Sequence, residues 1–172
     1  MAFYAAVMRP VWGQLERPGS AARVWRASQT RFISRVLGPR FEQLCRDFAL
    51  HDPERLLGDE LPAQVGRGVV NDAARRTSHE VDVAVVGVAD GGRTPLLSIG
   101  EATWGEVMGT GHLERLRRIR DLITTGGRYD TTRTRLVCYS GAGFNSELAA
   151  AATTAPDEVT LVGFDDLYRT PA

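Results

Sequence analysis

Apolar residues recur at spacings of three and four over residues 2–16 and 20–37, where Val24, Phe32, Ile33 and Val36 mark one face and Pro18-Gly19-Ser20 separates the two stretches. Both read as helices. Gly38 and Pro39 then break the pattern and open a third helix over residues 41–50, with Phe41, Leu44, Cys45 and Phe48 in one stripe. From there the period changes to that of strands. Residues 64–71 form a short β-like run and residues 80–88 a valine-dense one, closed by the turn signal Asp90-Gly91-Gly92. Residues 96–103 return as its hairpin partner. A second long helix opens at Thr110 or Gly111, buries Leu113, Leu116, Ile119 and Ile123 on one face, and stops at Gly126-Gly127. Residues 134–139 read as an apolar strand, 146–152 as a short alanine-rich helix and 158–164 as a last strand. A helix between the third strand and the next favours an α/β sandwich with a mixed sheet.

A length of 172 residues leaves room for one domain with a short appendage, which excludes a multi-domain enzyme. With 43% hydrophobic and 24% charged residues, neither a disordered nor a fibrous chain is expected. The formal charge is zero but unevenly spread: residues 1–50 carry eight Arg against three acids, and residues 51–172 thirteen Arg against eighteen acids. All 21 basic residues are Arg. A chain without lysine cannot run any mechanism that needs a lysine amine. Cys45 and Cys138 are too few for a disulfide framework, so a reducing, cytoplasmic setting is expected. Arg9 and Pro10 interrupt the N-terminal apolar run well short of the ~20 residues that cross a bilayer, and no positive region precedes it as in a signal peptide. No membrane association is expected.

Two carboxylates stand among apolar strand neighbours: Asp82 in Glu80-Val81-Asp82-Val83-Ala84-Val85, and Glu101 in Ile99-Gly100-Glu101-Ala102-Thr103-Trp104. Burying a lone carboxylate is costly. Strict alternation puts Glu101 on the face of Leu97, Ile99 and Thr103, and Asp82 on that of Ala84 and Val86, so pairing of the two strands lets both acids reach one site. Two carboxylates held close raise each other's proton affinity unless a cation lies between them, and a divalent ion with oxygen ligands answers that need. The plainer alternative is a pair of strand-end acids facing water and matched to Arg75, Arg76 or Arg93.

The succession Gly38-Pro39-Arg40-Phe41-Glu42, Glu80-Val81-Asp82-Val83, Gly100-Glu101-Ala102-Thr103-Trp104, an amphipathic helix, and Leu136-Val137-Cys138-Tyr139-Ser140 resembles a PD-(D/E)XK nuclease domain. More narrowly, it resembles the nuclease-like domain at the C-terminus of archaeal-type AAA ATPases, a family also found in bacteria. Ala2-Phe3-Tyr4-Ala5-Ala6-Val7-Met8-Arg9-Pro10 is similar to the segment that joins motor and nuclease parts there, and no phosphate loop of a motor occurs in the chain. The resemblance implies a restriction-endonuclease-like core over residues 38–172, preceded by a helical extension or linker over residues 1–37. It implies Asp82 and Glu101 as catalytic metal ligands for Mg²⁺ or Mn²⁺, with the Ala102 carbonyl as a third ligand and Glu42 and Glu80 as auxiliary acids. It further implies DNA as substrate or ligand, an AAA ATPase domain in the same or a separate chain as partner, and room for a homo-oligomer. The family lysine, two residues beyond the second acid, is replaced here by Thr103. A neutral hydroxyl supplies no charge to a developing phosphorane, so either a degenerate phosphodiesterase or a non-catalytic binding module is expected.

Other candidates are weaker. Ser140-Gly141-Ala142-Gly143-Phe144-Asn145-Ser146 follows a strand and precedes a helix, but Ser146 stands at the third glycine position of a dinucleotide loop, and a plain strand-to-helix turn accounts for it. His51, His79 and His112 are scattered without metal spacing. Arg115, Arg117, Arg118 and Arg120 spread around the second long helix as on a solvated face paired to Glu114 and Asp121, or against phosphates. Trp12, Trp25 and Phe32 read as packing residues of the front helices, or as a surface for an ATPase partner.

Overall fold

The computed structural model describes residues 2–168. The chain divides between Phe41 and Glu42 into two units. In the first, π turns at Tyr4–Met8 and a 3₁₀ turn at Arg9–Val11 lead to helices α1 (Trp12–Leu15) and α2 (Ala21–Phe32). The expected single helix over residues 2–16 is thus segmented. Pro10 has no N–H to give and forces the tighter turn in its middle. Phe3 and Trp25 pack on Phe32 with ring centroids 5.6 and 5.3 Å away. Ser20 Oγ donates to the Gln14 carbonyl at 2.6 Å.

Helix α3 (Gly38–His51) follows α2 through a π turn at Ile33–Leu37, in which the Gly38 N–H reaches back to the Ile33 carbonyl. The break expected at Gly38-Pro39 is absent. A wider turn just before Pro39 accommodates the ring that an α-helical carbonyl would meet, and Gly38 keeps helical dihedrals. In the second unit, a short helix α4 (Glu54–Leu57) precedes the sheet.

Six strands form one mixed sheet: β1 (Pro62–Asp72), β2 (Thr77–Gly87), β3 (Thr94–Thr103), β4 (Tyr129–Asp130), β5 (Arg135–Ser140) and β6 (Val159–Gly163). Their order is β1-β2-β3-β5-β6, with β4 attached to the start of β3. The first three are antiparallel neighbours, while β3, β5 and β6 are parallel. This is the α/β architecture expected from the pattern. Helix α5 (Thr110–Gly126) provides the crossover from β3, and α6 (Ser146–Thr154) the one from β5 to β6. Gly127, at φ +67°, ends α5 and donates to Ile123 O. Asn145 caps α6 by accepting from the Leu148 N–H at 2.8 Å.

Leu113, Leu116 and Ile119 of α5 bury against Ile99, Leu136 and Cys138. The intervening residues Val83, Val85, Val137 and Tyr139 are fully buried on the other face. Both faces of the middle strands are therefore covered, which is why these segments read as continuous apolar runs. Gly100 shows how tightly the second face is filled: a Cβ there would stand 2.6 Å from Tyr139 Cε2 and 3.0 Å from the Val137 carbonyl oxygen. A side chain at this position would displace the Tyr139 ring and β3 one residue from Glu101. Gly100→Ala is expected to lower stability by about 1–3 kcal/mol through overpacking, seen as a lower urea midpoint at unchanged slope; an unchanged midpoint would contradict this packing.

Candidate functional site

Strands β2 and β3 part company where the two acids lie. Their last pair is Val83 with Gly100, and beyond it the Ala102 N–H has no main-chain partner on β2. Asp82 Oδ2 takes that bond instead at 2.9 Å. A register shift makes this possible: β1 advances two residues from Gly66 to Gly68 while β2 advances three between Ala84 and Val81, so β2 carries one extra residue. Val81 thereby joins Ala84 and Val86 on the α5 side. The strict alternation that puts Asp82 with Ala84 and Val86 is broken by this bulge, and Asp82 is turned toward the end of β3. From α3, Arg46 Nη1 donates to the Asp82 carbonyl at 2.8 Å, so main chain and side chain of Asp82 are both anchored.

Glu101 follows Ile99 on the α5 side of β3. Arg115, one turn after His112 on α5, places Nη1 2.6 Å from Glu101 Oε1 and Nη2 3.3 Å from the Glu80 carbonyl. The guanidinium thus spans both strands at their point of divergence. Glu101 is only 13% exposed and Arg115 39%. The second carboxylate oxygen, Oε2, is buried and has no hydrogen-bond partner. Burial raises the Glu101 pKa above its ordinary value, opposed first by Arg115 and then by His112, with Asp82 adding to the rise. Asp82 is likewise raised by burial, against the Ala102 N–H and Arg115.

The auxiliary acids lie alongside. Glu42, Glu80 and Asp82 line a cleft of about 380 Å³ walled by Arg67, Gly68 and Val69. Glu42 pairs with Arg46 at 3.8 Å, and burial together with the nearby Asp82 raises its pKa. Glu101 and Arg115 are not among the residues that line this cleft; Glu101 is held under Arg115 on the α5 side of β3. Ala102 and Thr103 pair with Tyr139 and Ser140 in the β3–β5 ladder, and the Thr103 side chain makes no hydrogen bond among the described residues.

Glu101 Oε2 is buried without a hydrogen-bond partner, and Asp82 lies near enough to raise the Glu101 pKa. Oxygen-only donors of this kind are the type that a hard divalent cation such as Mg²⁺ or Mn²⁺ takes. Among the described residues no group of three His, Cys, Asp or Glu side chains is placed to hold a metal ion, so further ligands would come from water or the main chain.

Two readings of the arginines require correction. Arg115 pairs with Glu101 rather than Glu114, and Arg117 Nη2 and Arg120 Nη1 hold Glu158 at 2.7 and 2.8 Å, while Arg120 also meets the expected Asp121 at 4.0 Å. Nor do Arg75, Arg76 or Arg93 neutralise the acid pair. No spacing in the sequence singles out Arg115 among the four arginines of α5 as the partner of Glu101. The glycine-rich loop before α6 is pinned by Met108, which donates to Gly143 O at 3.0 Å and accepts from the Asn145 N–H at 2.9 Å. It is a strand-to-helix turn. No helix among the described residues is long and apolar enough to cross a membrane.

Compared with known families, curated proteins and solved structures, the chain matches none.

A pH dependence follows from the raised acids. A carboxyl whose folded pKa lies above its unfolded one binds the proton more tightly when folded, so stability falls as pH rises from the ordinary carboxylate value through the raised folded value. Asp82→Asn with Glu101→Gln removes this loss. The double variant should show a flatter stability profile as pH rises above the ordinary carboxylate range, about pH 4; a steeper profile would mean that the acids are stabilised when charged.

Proposed function

We propose that the second unit is a PD-(D/E)XK nuclease-like domain whose acid pair, Asp82 and Glu101, acts on the phosphodiester bonds of DNA as a degenerate metal-dependent phosphodiesterase, accessory to an AAA ATPase. The observation that carries this reading is the pair of largely buried carboxylates, one with an unpartnered oxygen, at the point where an antiparallel strand pair opens. Mg²⁺ or Mn²⁺ held by Asp82, Glu101 and the Ala102 carbonyl would supply Lewis-acid polarisation of a phosphoryl oxygen and a bound water of lowered pKa. The chain's own groups divide the remaining work. Asp82 is held by Ala102 and Arg46, so its free oxygen faces a fixed direction. Glu42 and Glu80 line the cleft where water would be oriented. Arg115 brings a permanent positive charge beside Glu101, where it could stabilise charge developing on phosphate. It cannot take up a proton, because guanidinium does not deprotonate in proteins.

Charge distribution supports a polyanionic partner. Residues 1–41 carry seven Arg against one acid, and every ion pair among the described residues uses an Arg of the second unit. An unneutralised cationic segment gains affinity for phosphate backbones by counterion release. A second reading, a DNA- or protein-binding module without chemistry, is favoured by the 2.6 Å bond from Arg115, which already neutralises Glu101.

Two measurements separate these readings. Mn²⁺ should raise the melting temperature by mass action, more strongly in Arg115→Gln, where the competing cation is gone, and not at all in Asp82→Asn with Glu101→Gln. Cleavage of plain duplex or single-stranded DNA by the unaltered chain should be minimal, and Thr103→Lys should raise it by roughly hundreds-fold, the worth of one preorganised charge. Neither a metal shift nor cleavage by Thr103→Lys would leave the binding module.

A further inference from the structure

The acid pair is closed by a cation of the chain's own. Arg115 reaches Glu101 from α5 with Nη1 2.6 Å from Oε1, and while the carboxylate is mostly buried, the guanidinium is partly open to solvent. Its other contact is looser, Nη2 to the Glu80 carbonyl at 3.3 Å. A guanidinium carries five N–H donors in one plane. Two are used on Glu101 and Glu80, and the rest have no acceptor among the described residues.

One carboxylate is thus asked to serve two cations. Glu101 Oε2 is buried without a partner and is of the donor type that a hard divalent ion takes. An ion held there would stand against the positive charge already seated on Oε1, and like charges on one carboxylate repel strongly where water is largely excluded. A lysine in this place could relieve the repulsion by giving up its proton. Arg115 cannot, because a guanidinium stays protonated in proteins. Relief has to come from an anion that takes up the charge of the guanidinium from its open side. Phosphate suits the planar fork and its spare donors.

We infer that Arg115 is the phosphate-binding residue of this site and also its gate: without phosphate its charge on Glu101 keeps a divalent cation weakly held, and a phosphodiester bound to the guanidinium lets Asp82 and Glu101 hold the ion. The choice of phosphate rests on the phosphodiesterase reading above. The consequence is a coupling that runs both ways. Phosphate and cation each raise the other's affinity by one common factor, within the range of about 5- to 150-fold that such couplings span.

Mn²⁺ binding to the full chain tests this, read from the electron paramagnetic resonance signal of free Mn²⁺ with and without excess dimethyl phosphate at matched ionic strength. Dimethyl phosphate is a phosphodiester without base or sugar, so strand form and sequence do not enter. The unaltered chain should bind Mn²⁺ weakly alone and at least about fivefold more tightly with dimethyl phosphate. Arg115→Gln should bind Mn²⁺ more tightly from the outset and lose most of that gain. Arg115→Lys keeps a charge against Glu101 and should keep both the fold and the gain, and Arg118→Gln, at an exposed position of the same helix, should behave as the unaltered chain does. No Mn²⁺ binding in either condition, no gain from dimethyl phosphate, a gain that persists in Arg115→Gln, or one that is lost from Arg115→Lys or Arg118→Gln would overturn the inference. Mn²⁺ and phosphate that bind independently, with DNA cleaved by Thr103→Lys, would remove the gate and leave the phosphodiesterase; an Arg115-dependent gain with no cleavage by Thr103→Lys would do the reverse.

Discussion

Everything at the divergence of β2 and β3 answers to one constraint, the burial of two carboxylates. Asp82 and Glu101 each lie mostly out of water, and the groups set against them are one main-chain N–H and one guanidinium. An ion pair in such a place contributes little net stability, since desolvation consumes most of the attraction, and a well-packed apolar pair would serve the sheet as well or better. Removing one partner alone would be severe, because the other charge would stay buried and unmatched. The fold therefore does not need these acids, yet it is arranged around them: Arg46 from α3, Ala102 from β3 and Arg115 from α5 all converge on a few residues. Such convergence on a site that costs stability is the feature on which the proposed function rests.

Most of the elements were legible from the sequence, and the reason is burial. Val83, Val85, Leu136 and Val137 are covered on both faces, so their strands read as dense apolar runs, and the α5 stripe of Leu113, Leu116 and Ile119 kept its helical period. What could not be read was set by interactions without periodicity. The extra residue in β2 leaves no trace in Glu80-Val81-Asp82-Val83-Ala84-Val85, because valine stands on both sides of the register shift. Two-residue β4 is defined only by its pairing with Thr94 and Pro95. The helix continuing past Gly38-Pro39 depends on a π turn that no propensity scale marks. For the site, the two acids were identifiable as charges among apolar neighbours. Their partner Arg115 was not, since four arginines share that helix and only the fold selects among them.

The restriction to arginine gives these partners a particular form. A guanidinium offers several donors in a fixed plane, and Arg115 uses two of them on different strands, a carboxylate oxygen on β3 and a main-chain carbonyl on β2. Arg46 does the same between the Asp82 carbonyl and the side chain of Gln43. A lysine ammonium could hold either partner as a point charge but would not fix the angle between them. The arrangement gains rigidity and gives up proton exchange. Under the phosphodiesterase proposal, such a site would stabilise negative charge on a phosphate and leave proton transfer to Glu42, Glu80 or water.

The acid cleft and an apolar groove of about 320 Å³ between β1 and the C-terminal end of α5, floored by Ala84, Val86, Ile99 and Ile123, have a common origin in the single extra residue of β2. Adding one residue to one strand of an antiparallel pair reverses the parity of everything beyond it. Upstream of the bulge Val81 is returned to the α5 side; at the bulge Asp82 leaves the ladder and becomes free to accept from Ala102. On the facing strand the same irregularity falls between Gly66 and Gly68, where side chains would have closed the space over Ala84 and Val81. Had β2 kept strict alternation, Val81 would have left the α5 side and Asp82 would have taken its place over the core, under α5 and away from the cleft. The bulge places a polar residue at the strand end and leaves the apolar surface beside it open. The acid cleft and the apolar groove are then the two sides of one local departure from regular pairing.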